Sequence, residues 1–116
     1  MAESATVSQH FEGRDSVVKS IYDRILTGSR KFGPVIEEPK KTSIHPVNKS
    51  TFAGVVTRKN ALILNIKSAT PIKYERFARS EQVSAGRFHQ EVKLTSPDEV
   101  DALLLGWLQE AYTLSG

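Results

Sequence analysis

Phe88-His89-Gln90-Glu91-Val92-Lys93-Leu94-Thr95-Ser96-Pro97-Asp98-Glu99-Val100 is the stretch on which the fold turns. Its first seven residues alternate. Phe88, Gln90, Val92 and Leu94 share one face, and His89, Glu91 and Lys93 share the other, as a strand with one buried side requires. The signals then become helical. Ser96 reads as an N-cap, Pro97 takes the first helical position, and Glu99 completes a Ser-x-x-Glu capping box. Asp98, Glu99 and Asp101 place negative charge at the positive end of the helix dipole. Val100, Leu103, Leu104, Trp107, Leu108 and Ala111 recur at helical spacing, so a helix is predicted from Ser96 to about Leu114 with that stripe buried.

Toward the N-terminus, Ala85-Gly86-Arg87 reads as a three-residue turn, with Gly86 supplying positive φ, and Glu81–Ser84 as a short strand before it. Ser68–Arg79 reads mostly as loop, with a strand near 73–78 as the alternative. Ala61–Lys67 alternates Leu62, Leu64 and Ile66 against Ile63, Asn65 and Lys67 and is a strand. Arg58-Lys59-Asn60 turns the chain out of another, Thr51–Thr57, in which Gly54 suggests a bulge. Thr42–Val47 is a strand that Pro46 confines to an edge or terminates, and Val35–Glu38 is a short one closed by Pro39.

A helix is predicted from about 15 to 32, capped by Asp15 or Ser16 and stopped by Gly33-Pro34. Its stripe is Val17, Val18, Ile21, Tyr22, Ile25, Leu26 and Phe32. His10 falls in a short helical turn and reads as exposed, and residues 1–7 read as a disordered start. The expectation is an α+β fold over 8–116 as a single domain: an N-terminal helix, five or six antiparallel strands and a C-terminal helix. With two amphipathic helices and one sheet, both helices pack on one sheet face and leave the other open.

Composition narrows the function classes. The 116 residues contain no cysteine, which excludes disulfides, thiolate metal sites and thiol nucleophiles. No apolar run approaches the ~18–20 residues a membrane span needs, and the start, Met1-Ala2-Glu3-Ser4, lacks the pattern of a signal peptide. A cytoplasmic protein without membrane contact is expected. The net charge of +3 conceals an uneven distribution: residues 40–93 carry eleven basic and three acidic side chains, whereas 94–116 carry four acidic and none basic. The positive charge therefore falls on the strands.

Lys41, Ser43 and His45 share one face of their strand; Asn65 and Lys67, and His89, Glu91 and Lys93, share the polar faces of theirs. If these faces align, the open side carries Lys41, Ser43, His45, Lys67, Arg87, His89 and Lys93 as an anion-binding set, with Lys40, Arg58 and Lys59 as a rim. A merely solvated face with lysines guarding its edges is the competing reading. Phe52 and Phe88 read as core, which leaves no aromatic stacking platform. His45, His89 and Glu91 suggest a metal triad, but no HxxxH or ExxH spacing supports one, and no cofactor is expected. Ser43 with His45, His89 and Glu91 would suit a small hydrolase or ligand-binding domain, although GxSxG and P-loop motifs are absent.

Lys40-Lys41-Thr42-Ser43-Ile44-His45 and Ser50-Thr51-Phe52-Ala53-Gly54-Val55 resemble the middle of the bacterial domain-of-unknown-function family 5655. Arg87–Leu94, Ser96–Asp101 and Gly106-Trp107-Leu108 resemble its later part, and the resemblance spans about residues 8–114. It implies a small domain, found alone or joined to modules some of which resemble nucleic-acid-processing proteins, and it carries no catalytic residue over. The expected function is a non-enzymatic binding domain whose basic sheet face takes an acidic partner, nucleic acid among them. A homodimerising interaction module is the alternative, ahead of the hydrolase.

Overall fold

The computed structural model describes residues 7–69 and 77–115. Residues 1–6 of the predicted disordered start, and the middle of the predicted 68–79 loop with most of its alternative strand, lie outside the described residues. A 3-10 turn (Ser8–Phe11) leads into α1 (Ser16–Ser29). Six strands follow: β1 (Ile36–Pro39), β2 (Ile44–Val47), β3 (Ala53–Thr57), β4 (Leu62–Ser68), β5 (Phe77–Ser84) and β6 (Arg87–Leu94). A second 3-10 turn (Pro97–Glu99) and α2 (Ala102–Leu114) complete the chain. The strands form one antiparallel sheet in the order β1-β2-β3-β4-β6-β5. The α+β expectation holds, with six strands.

The alternation read from the sequence sets which side of the sheet is covered. On β4, Leu62, Leu64 and Ile66 are fully buried, while Ile63, Asn65 and Lys67 are half-buried on the opposite side. Val18, Ile21, Tyr22 and Ile25 of α1 join Leu104, Leu108 and Ala111 of α2 in the same core cluster as Ile44, Val55, Leu62, Leu64, Ile66, Val92 and Leu94. Both helices therefore pack on one face. Each such aliphatic side chain taken out of water contributes about 1.5–3 kcal/mol.

Several boundaries differ from the sequence reading, each for a local reason. The Ser96–Glu99 capping box forms, but it closes only the 3-10 turn. The chain breaks at Val100 and is capped again by Asp101, whose side chain accepts from Leu104 N at 3.0 Å, so α2 begins at Ala102. The break rotates the helix, leaving Leu103 46% exposed while Leu105 packs against the core. α1 ends at Ser29 rather than 32, because Lys31 and Phe32 donate to Gly28 and Ser29 carbonyls in i→i+3 bonds that tighten the last turn. Gly33 follows at φ 151°, and a Cβ there would lie 2.5 Å from the Tyr112 hydroxyl, which donates to Pro34 O. Asp15 precedes α1 without a side-chain cap.

β2 is interior, so the edge reading of Pro46 fails, while the alternative that the strand terminates there holds to within one residue, since β2 ends at Val47. Its pairing with β3 is correspondingly thin: one register pair, Ile44↔Val55, a Val47↔Thr51 bridge and a Phe52 N to Pro46 O bond. β3 and β4 pair without interruption through Gly54↔Asn65, so Gly54 is no bulge. β5 starts at Phe77 and is longer than predicted, and its hairpin turn is Ala85-Gly86 alone, since Arg87 already pairs with Ser84. Gly86 takes φ 72° there. Phe52 is fully buried, whereas Phe88 is only half-buried and lies outside the core cluster.

His10 is 9% exposed, contrary to its sequence reading. Its Nε2 donates to Lys40 O at 2.7 Å, and its carbonyl accepts from Thr57 Oγ1 at 2.6 Å. These bonds fasten the first 3-10 turn to the end of the sheet where the β1–β2 and β3–β4 turns lie. Among the described residues no helix is long and apolar enough to cross a membrane.

Candidate functional site

The uncovered face of the sheet carries two rows of side chains. Antiparallel register aligns His45 of β2 with Gly54 of β3, Asn65 of β4 and Glu91 of β6. The second row, two residues along β4 and β6, pairs Lys67 with His89, and His89 with Glu81 of β5. Residues two apart on a strand are separated by ~6.8 Å, and adjacent strands by ~4.8 Å. Together the rows line a concavity of about 520 Å³, whose lining also includes Thr51 and Phe52.

Local sequence explains each placement. Gly54 contributes no side chain where its neighbours would meet: a Cβ there would touch Asn65 Cβ and His45 Cδ2, each at 3.9 Å. Lys67 bends toward the end of α2 and donates to Ser115 Oγ at 3.4 Å. Ser115 is itself pinned beneath the β2–β3 turn, its carbonyl accepting from Lys49 N and Ser50 N. Burial pushes the Lys67 ammonium below its usual value, and the neighbouring Arg87 guanidinium pushes it further. Burial also lowers the His45 imidazole; Lys40 adds to that effect and Glu38, facing it across β1, opposes it. These effects favour the neutral ring, and its Nε2 is hydrogen-bonded to Ser43 Oγ at 3.0 Å.

Not all the residues singled out from sequence meet here. Lys67, His89 and His45 line the concavity, and Arg87 stands beside Lys67. Ser43 reaches it only through His45. Lys41 is not on the strand face: it lies exposed in the β1–β2 turn with Lys40, because β2 starts at Ile44. Arg58 and Lys59 occupy the β3–β4 turn at that same end, and Lys93, opposite Ile63, points out of the open face near it. The cations singled out from sequence thus form two groups, at opposite ends of the sheet, with Asn65 and Glu91 between them, and Arg79 of β5 occupies the register position opposite Glu91. Among the described residues neither Asn65 nor Glu91 has a side-chain hydrogen bond or ion pair.

The strand order also bears on catalysis. His45 and His89 sit on β2 and β6, three strands apart, so their backbones are separated by roughly 14 Å. The two imidazoles flank the concavity and do not share a proton path of one hydrogen bond. Among the described residues no three His, Asp or Glu side chains gather as a metal site. Glu81 and Gly54 escaped the sequence reading as site residues. A bulge in β5 between Gln82 and Ser84 shifts the register by one and brings Glu81 opposite His89, and no residue pattern announces it.

Neither the curated proteins nor the solved structures contain a match to the chain. A family model does match, over residues 7–115, covering α1, the whole described sheet and α2. With helix, six-stranded sheet and helix all inside that match, the chain belongs to the family described as Domain of unknown function (DUF5655).

Proposed function

We propose that the domain is a binding module whose open sheet face takes an anionic partner, nucleic acid among them, with the anion seated on Lys67 and Arg87 beside His89. One observation carries this reading. Lys67 lines the concavity, Arg87 lies two residues before its partner His89 on the same face of β6, and among the described residues neither cation forms an ion pair with a carboxylate. Lys67 is partly desolvated and is repelled by the exposed Arg87, and an anion between them offsets both costs. Cations at the far end, Lys40, Lys41, Arg58, Lys59 and Lys93, extend positive charge along the path a polyanion would follow.

Fluorescence anisotropy with labelled DNA and RNA at low salt tests the reading. Two phosphate contacts on duplex DNA give a log–log salt slope of about −1.8, and Lys67→Ala should flatten it by about 0.9. Absence of binding at low salt, to nucleic acid and to an acidic peptide alike, overturns the proposal. A salt-insensitive dimer in sedimentation, with no anion binding, would favour homodimerisation instead.

A further inference from the structure

We infer that the Lys67–Arg87 seat and the Asn65–Glu91 pair together form one nucleotide site, and that the base it takes is guanine. The inference rests on the anion reading above and adds a base to it. Along the strands, Lys67 is one row from Asn65 and Glu91, and Arg87 is four residues from Glu91, or ~7 and ~13 Å of strand. A phosphate between the two cations therefore lies a sugar's length from the Asn65–Glu91 row, on the same face and at the Lys67 end of the concavity.

The base follows from hydrogen-bonding capacity. A carboxylate offers two acceptor oxygens and no donor, and an amide offers both kinds of group. Asn65 and Glu91 are direct cross-strand partners, so their Cβ atoms are ~5 Å apart and both side chains can meet one planar edge. Guanine is the base whose pairing edge presents two parallel donors, N1–H and the 2-amino group, next to a carbonyl. The donors fit the two Glu91 oxygens and the carbonyl fits the Asn65 amide. Adenine and cytosine turn a ring-nitrogen acceptor toward the carboxylate, and uracil flanks its one N–H with two carbonyls. Gly54 leaves the space beside Asn65 unfilled, and the His45 ring borders it as a flat wall. Glu81 lies beyond His89 from Lys67, which confines the anion to the Lys67–Arg87 side.

Titration calorimetry of the full chain with GMP, AMP, CMP, UMP and inorganic phosphate tests this. GMP should bind at least about tenfold more tightly than UMP, as one good bidentate contact provides. Glu91→Gln should erase that preference while Lys67→Ala weakens all four nucleotides alike. If Glu91→Gln does not fold, Asn65→Asp carries the same test, since a second carboxylate against the guanine carbonyl should abolish GMP binding. Four nucleotides binding within twofold of one another, or a preference that survives Glu91→Gln, overturns the inference and leaves the anion reading standing. Binding of inorganic phosphate or an acidic peptide without any nucleotide does the same. No binding of any anion overturns both. The hexamer UUGUUU binding more tightly than GMP identifies a strand as the source of the nucleotide, and equal affinity identifies the free nucleotide.

Discussion

The two faces of the sheet are built from the same strands and differ in nearly every property. On β4 the covered side carries Leu62, Leu64 and Ile66, all fully buried in one cluster with both helices. The other side of the same seven residues carries Ile63, Asn65 and Lys67, half-buried in a concavity or beside it. One backbone thus serves as a wall of the core and as the floor of a binding surface, and parity of residue number decides which. The covered face buries its apolar side chains against both helices. On the open face, among the described residues, the Asn65 amide and the Glu91 carboxylate have no partner, and Lys67 and Arg87 have hydrogen bonds but no carboxylate.

That contrast makes stability and binding separable. The largest effect is expected at Leu64→Ala, which leaves a cavity beneath both helices and should cost about 2–5 kcal/mol in urea unfolding. Anion affinity of the folded fraction should be unchanged. Lys67→Ala, on the other parity, should shift stability by less than about 0.5 kcal/mol while weakening binding. If Lys67→Ala destabilises as much as Leu64→Ala, the open face is structural and the functional reading falls.

An intermediate effect is expected at Asp101→Ala. It removes the acceptor for Leu104 N that starts α2 and should cost about 1 kcal/mol, seen as a lower denaturation midpoint. The smallest effect is pH dependence at His45. Its folded pKa lies below 6.5, so the unfolded chain takes up the proton first. The stability contributed by the neutral imidazole is present above pH 6.5 and is lost as pH falls through the folded value. Urea midpoints measured across that window should fall toward acid, and His45→Gln should flatten that part of the curve. A curve identical in the variant would show that His45 is not desolvated by the concavity.

Where sequence reading succeeded, the signal was local. The Phe88–Leu94 alternation named the covered and open sides of β6 correctly down to Gln90, which is buried and donates to Ser68 Oγ at 3.0 Å. The capping box at Ser96 was also read correctly as a motif. Its consequence was not, because the three-residue turn it closes and the second cap at Asp101 depend on how α2 must enter the core. His10 was misread for a related reason: a histidine in a short polar turn carries no sign that Lys40 O and Thr57 will fold over it.

The candidate site divides in the same way. Residue type and alternation, properties of the chain within a few bonds, sufficed to name Lys67, His89 and His45 as polar-face residues and to predict α+β layers with one face open. Only the folded chain decided that β6 inserts between β4 and β5, that the β5 bulge sets Glu81 opposite His89, and that the cations named from sequence part into two groups with Asn65 and Glu91 between them. Strand order and register are chosen by contacts between residues far apart in the chain, and those contacts leave no period in the sequence to be read.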